Sequence, residues 1–121
     1  MKQPTEHQEQ CRVFEWSRSN IAKHAELALL HASLNGVKLS PGAAKKAWLS
    51  GMLSGIPDMF LPIPRNGKHG LFIEQKRKKG GVTSDKQKKM LAILNQLGYD
   101  ACVCKGAEEA IAKIKEYLGG F

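Results

Sequence analysis

The sequence predicts an α/β fold, a mixed sheet flanked by helices. Three patterns lead there: helical apolar spacing near both ends of the chain, two short apolar runs joined through Asn66-Gly67, and a third run between two helical segments. The order along the chain is helix, possible strand, helix, hairpin, helix, strand, helix, which suits helices packed on a sheet. A chain of 121 residues fits one domain, 1–121, and is long enough to bury one core unaided. With 42% hydrophobic and 25% charged residues, wholesale disorder is excluded.

The first helix is expected from Thr5, its N-cap, to about Lys23, with Glu6 and Glu9 favouring the positive end of the helix dipole. Leu27 to Ala32 either prolongs it or forms a strand, and periodicity does not separate the two. Asn35-Gly36 is a turn. Ser40-Pro41 starts a second helix, an N-cap followed by proline at the first helical position, running through Trp48 towards Leu53. Met59 to Ile63 and Leu71 to Lys76 make a hairpin with a longish loop, and Pro62 and Pro64 place its first strand at an edge or irregular end. Ser84 begins a third helix with Met90, Leu91, Leu94 and Leu97 as its stripe, stopped by Gly98. Tyr99 to Val103 is a strand, and Ala107 to Leu118 is a helix burying Ala110, Ile111, Ile114 and Leu118.

Nineteen Lys+Arg against eleven Asp+Glu leave a net charge of +8 and a pI near 9.6, pointing to a polyanionic partner, nucleic acid ahead of a membrane surface. Cys11, Cys102 and Cys104 are too few for a disulfide framework, and no Cys/His cluster has zinc-finger spacing. Cys102 and Cys104 share a strand face and read as small buried thiols. With a polar first twenty residues and no apolar run near membrane-span length, an intracellular, reducing compartment is expected.

Three charges stand where a core should form: Asp58, Glu74 and Lys76. Alternation puts Phe72, Glu74 and Lys76 on one face of their strand and Leu71, Ile73 and Gln75 on the other. The hairpin should bring Asp58 beside Glu74. Two such carboxylates repel, and a hard divalent cation with oxygen ligands relieves the repulsion. A cation there polarises a phosphodiester, and Lys76 orients the attacking water or stabilises charge on the transition state. Lys76, Arg77, Lys78, Lys79, Lys86, Lys88 and Lys89 follow, opposed within that stretch by Asp85 alone. Gly80-Gly81 allows a tight turn, and Thr83-Ser84 caps a helix whose free N–H groups favour anions. Taken singly, these features also suit a solvated turn, a surface ion pair and a solvated helix face.

In order, however, GIPD (55–58), HGLFIEQKR (69–77), GGVTSDKQ (80–87) and LGY (97–99) resemble the VRR-NUC family of the PD-(D/E)XK nuclease superfamily, over Glu6 to Tyr117. The resemblance implies a restriction-endonuclease-like αβββαβ core and a metal-dependent endodeoxyribonuclease using Mg²⁺ or Mn²⁺. By it, Asp58 and Glu74 are metal ligands helped by the Ile73 carbonyl, and Lys76 is the catalytic lysine. Glu6, with Gln10 four residues on, supplies the first-helix ligand, although Glu9 is a near alternative. Gln87 lies near the site as a further catalytic residue. Gln75 departs from the family, where an apolar residue is more usual, and faces away from the site. Lys76, Arg77, Lys78, Lys79, Lys86 and Lys89 are the expected DNA-binding residues.

Small single-domain members of that family are typical of bacteriophages, which would place this chain in a host cytoplasm. They are thought to act as homodimers on branched DNA such as Holliday junctions. The competing reading is a non-catalytic or partner-dependent nucleic-acid-binding module that keeps the nuclease fold. His7 and Cys11 share a helical face but two ligands make no metal site, and His31 and His69 read as core or loop histidines.

Overall fold

A computed structural model describes residues 2–33 and 38–121. A capping box opens helix α1 (Glu6–Asn20): Thr5 Oγ1 accepts from the Gln8 N–H at 3.1 Å, and Gln8 Oε1 accepts from the Thr5 N–H at 2.9 Å. The helix stops at Asn20 rather than near Lys23, because the Lys23 and His24 N–H groups both fold back onto the Asn20 carbonyl. The ambiguous Leu27–Ala32 stretch contains neither a long helix nor a full strand. It is split between a 3₁₀ turn (Ala25–Leu29) and a two-residue edge strand, β1 (His31–Ala32). The expected Asn35-Gly36 turn lies outside the described residues.

Ser40 caps α2 (Pro41–Leu49), its Oγ accepting from the Ala43 N–H at 3.3 Å. This helix ends before the expected Leu53. Gly51 adopts φ +102°, and the Met52 N–H reaches back to the Ala47 carbonyl at 3.0 Å, closing the last turn. Strands β2 (Met59–Leu61) and β3 (Leu71–Lys76) pair antiparallel, with Met59 opposite Ile73 and Leu61 opposite Leu71. Asn66-Gly67 forms the tip with both φ positive, and Arg65 and Lys68 exchange backbone hydrogen bonds of 3.1 and 2.8 Å across it. Tyr117 Oη ties this long loop down by donating to the Ile63 carbonyl at 2.6 Å.

Helix α3 (Asp85–Gln96) opens on a second capping box, Ser84 with Gln87. Strand β4 (Asp100–Lys105) then lies parallel to β3, with Leu71 opposite Asp100 and Lys76 opposite Lys105, and α4 (Gly106–Tyr117) follows. The described residues form one mixed four-stranded sheet in the order β1-β2-β3-β4. Among them no helix is long and apolar enough to cross a membrane.

Alternation divides the core into two layers. Met59, Leu61, Leu71, Ile73 and Cys104 face α1 and α4, where Val13, Ala110 and Ile114 are fully buried. Phe60, Phe72 and Ala101 face α3, where Leu94 is buried and Met90 and Leu91 are partly so. Leu97, expected in that stripe, is 61% exposed. It is the C-cap of α3, so the chain has already left the helical path that would aim it at the sheet. With helices over both faces, every side chain of β3 is buried, including Glu74, Gln75 and Lys76.

Gly98 terminates α3 at φ +95°, and a Cβ there would meet the His69 ring at 2.8 Å. The backbone there is fixed by the His69 N–H on the Gly98 carbonyl at 2.9 Å, so the exposed ring would have to swing aside and give up its edge contact with Tyr99 at 5.5 Å. Gly51 has a similar φ with nothing within 4 Å of its Cβ position. Gly51→Ala should therefore cost only left-handed backbone strain, about 1–2 kcal/mol, and Gly98→Ala that strain plus the displaced His69–Tyr99 contact. Denaturant unfolding of the two variants checks this, and equal losses would contradict it.

Candidate metal centre

The register that sets Met59 opposite Ile73 carries Asp58 to the level of Glu74. Asp58 is fixed from two directions. Its Oδ2 accepts the Gln75 N–H at 2.8 Å, and its carbonyl accepts the Ser33 N–H at 2.7 Å, linking the β2 approach to the end of β1. Glu74 and Lys76, two residues apart, point to the α3 side as alternation requires, above Phe72, whose ring stacks on Phe60 at 4.1 Å.

Gln87 joins these two charges. Its Nε2 donates to Glu74 Oε2 at 3.0 Å, while its Oε1 accepts from Lys76 Nζ at 3.2 Å and from the Ser84 N–H at 2.9 Å. Two donors on the oxygen fix which end of the amide faces Glu74. The residue that closes the α3 cap is thus the same one that orients the lysine and the carboxylate. Lys76 Nζ also lies 3.5 Å from Glu74 Oε2, both side chains being almost fully buried.

Glu6 completes an acidic group. Glu6, Asp58 and Glu74 each offer one oxygen, and the three lie within 4.8 Å of one another. Glu6 is exposed on the first turn of α1, Asp58 and Glu74 are buried. Glu9, the near alternative, is fully buried and turned elsewhere: its Oε1 accepts from Arg12 Nη1 at 3.2 Å and from the Ala107 N–H at 3.4 Å. It caps α4 from across the fold, a task that α4's own N-cap, Lys105, does not perform. Gln10 lines a cleft with His7, Cys11, His31 and Ala32. The His7 and Cys11 side chains meet there at 3.5 Å.

Two structural roles here had no reading in the sequence. The Gln3 side-chain amide clasps the backbone of Lys79, donating to its carbonyl at 2.9 Å and accepting from its N–H at 3.2 Å, so the basic loop is tied to the approach to α1. The capping of α4 by Glu9 is the other. Neither has a local signal, because the partners are 76 and 98 residues away. The Ser84-to-Gln87 spacing, in contrast, is a capping-box signature visible in the sequence.

Arg77, Lys78, Lys79, Lys86 and Lys89 are exposed. Arg77 closes the loop by donating to the Gly80 carbonyl at 3.2 Å, Lys86 donates to Ser54 Oγ at 2.9 Å, and Lys78 packs its stem over Gly106. Lys76 is only 5% exposed and belongs to the acidic group, not to the outer basic surface. The mid-strand residue Ile73 is in register with Met59 on one side and Cys102 on the other, its side chain in the core.

Burial, and then Asp58 beside it, push the Glu74 carboxyl up from 4.5 to about 8, against the opposing pull of Lys76. Folding therefore raises the proton affinity of Glu74. The resulting stability is full below about pH 4.5 and is lost as pH rises through about 8. In chelator, Glu74→Gln should melt close to wild type near pH ~5 and above it near pH ~9, since only the wild type acquires the repelling charge. Thermal melts at the two pH values check this, and a pH-independent difference would contradict it.

The sequence model of the VRR-NUC domain matches residues 2–108. A solved VRR-NUC domain protein is 30% identical to this chain, with a TM-score of 0.78 over 98% of this chain and 91% of that one. Among curated proteins, no sequence matches. The mixed sheet and its flanking helices are the expected fold, and the domain carries a nuclease-type, DNA-processing function with nucleic-acid binding. The chain belongs to the VRR-NUC domain family.

Proposed function

We propose that the chain is a single nuclease domain that hydrolyses DNA phosphodiesters with a divalent cation, Mg²⁺ or Mn²⁺, held by Glu6, Asp58 and Glu74. The observation that carries this is three carboxylate oxygens within 4.8 Å, two of them on buried side chains, beside an ordered lysine. Such a set fits a hard cation, because the buried carboxylates repel one another without one. When bound, the cation supplies polarisation of the phosphodiester and acidification of a water.

The protein's own groups supply orientation. The Gln75 N–H and the Gln87 amide fix Asp58 and Glu74 before any substrate arrives. Lys76 Nζ, held by Gln87 and Glu74, orients the attacking water and stabilises the charge growing on the phosphoryl oxygens. Gln87 acts through these two residues. A backbone carbonyl is expected beside them from Ile73. The Gln75 N–H points to the β2 side, and residues two apart in a strand point their backbone groups alike. Ile73 is therefore committed to pairing with Met59, and the Gln75 carbonyl, past the end of β2, is the better placed backbone ligand for a cation. Arg77, Lys78, Lys79, Lys86 and Lys89 take the DNA backbone, so recognition is of shape and charge more than sequence. Action as a homodimer on branched DNA such as Holliday junctions is supported by the family resemblance, and two-fold symmetry suits paired cuts.

Synthetic junction, flap and duplex DNA incubated with Mg²⁺, Mn²⁺ or EDTA test the reading. Junction cutting should require metal and fall roughly 100- to 1,000-fold in Lys76→Ala, with Gln87→Ala losing about 10- to 100-fold. Undiminished cutting by Glu74→Ala or Lys76→Ala would sink the mechanism. In calorimetry, Glu6→Ala should weaken Mn²⁺ binding, whereas Glu9→Ala should lower the melting temperature and leave metal binding in the folded protein. DNA binding without any metal binding would favour the non-catalytic module.

A further inference from the structure

Helix α2 lies across a stretch that the metal centre does not use. None of its residues is buried, and its last turn presents Trp48 at 71% and Leu49 at 67% exposure. Lys45 is on the same side as Trp48 and Leu49, three and four residues earlier. From Leu27 to Pro57 the sequence has Lys38, Lys45 and Lys46 and no aspartate or glutamate. An exposed tryptophan within a carboxylate-free, lysine-bearing face fits a polyanion that also has flat apolar surfaces.

The helix is also near the acidic group. Ala47 and Ser50 line one cleft with Ser33 and Ile56, and the Ser33 N–H donates to the Asp58 carbonyl. Trp48 lines an adjoining cleft with Ser54, which receives the Lys86 ammonium at 2.9 Å. The cleft that Trp48 lines is thus bordered by the residue that holds Lys86, one of the basic residues of α3.

We infer that α2 is a DNA-docking helix: Trp48 stacks on an unstacked base of branched or single-stranded DNA while Lys45, on the same side, engages a flanking phosphate and Lys46 adds positive charge from the far side of the helix. Stacking on an aromatic ring tolerates any base, since every base has a π-face. Fully paired duplex hides those faces, so the contact favours DNA with an opened or unpaired base beside the cut. This rests on the DNA-cleaving reading above and adds a source of its structure selectivity. A second copy of the chain fits the face less well, because pairing would bring two like-charged lysine faces together in a molecule of net charge +8.

The test uses the full chain in EDTA, where binding is read without cleavage. Affinities for a four-way junction, a gapped duplex and an intact duplex are measured for wild type, Trp48→Ala, Trp48→Phe and the Lys45→Ala/Lys46→Ala double variant. Trp48→Ala should weaken junction and gapped-DNA binding roughly 5- to 100-fold while duplex binding changes less than about twofold. Trp48→Phe should restore most of the loss, and the lysine pair should flatten the salt dependence by about 1–2 in log–log slope. In a Trp16→Phe background, emission from Trp48 should be quenched and shielded from iodide by the junction. If Trp48→Ala binds all three DNAs like wild type, the docking helix is wrong and the nuclease reading stands. If wild type binds no DNA with or without metal, both fall. If the variant changes only from dimer to monomer, the face belongs to a second copy and the inference is overturned.

Discussion

Two carboxylates, Asp58 and Glu74, are held side by side out of water at the end of the central strand, and the polar contacts around them answer to that constraint. Their closeness follows from the hairpin register, and their burial follows from covering both faces of β3 with helices. Left alone, such a pair is unfavourable, which is the meaning of the raised Glu74 proton affinity. Lys76 offsets part of the repulsion. The rest is available to a ligand of opposite charge. In the proposed reading, a cation would relieve a pair that is costly to the fold.

The supporting residues are glutamines, not further charges. Gln87 turns the first turn of α3 into part of the centre, because one amide both closes the capping box and bridges Lys76 to Glu74. Gln75, where the resemblance implies an apolar side chain, donates its amide to the Lys76 and Cys104 carbonyls, while its buried Oε1 has no hydrogen-bond partner among the described residues. It serves the centre through its backbone, the N–H holding Asp58, and an apolar residue would provide the same backbone groups. The Gln75 side chain lies on the α1/α4 side of the sheet, opposite Glu74 and Lys76. Gln3 extends the same scheme outward, fastening the backbone of the basic loop at Lys79 beside the start of α1.

Much of this was legible in the sequence because it is local. Thr5 with Gln8 and Ser84 with Gln87 mark helix starts, Asn66-Gly67 marks the hairpin tip, and alternation along β3 places Glu74 and Lys76 on one face. The choice between Glu6 and Glu9 was not local. Both sit in the first turns of one helix, and only the packing of α1 on α4 sends Glu9 to the Ala107 N–H and leaves Glu6 at the acidic group. The Leu27–Ala32 stretch was ambiguous for a similar reason, since its two-residue strand exists through pairing with Met59 and Phe60. Leu97 kept the spacing of a buried stripe although the helix had ended beneath it.

Crystals of the protein soaked in Mn²⁺ and measured at the manganese edge examine the central claim most directly. An anomalous peak within coordination distance of Glu6, Asp58 and Glu74, with Glu9 still on α4 and Gln87 still bridging Lys76, is the expected result. A peak coordinated elsewhere, or none at millimolar Mn²⁺ with the three carboxylates undisturbed, would contradict it.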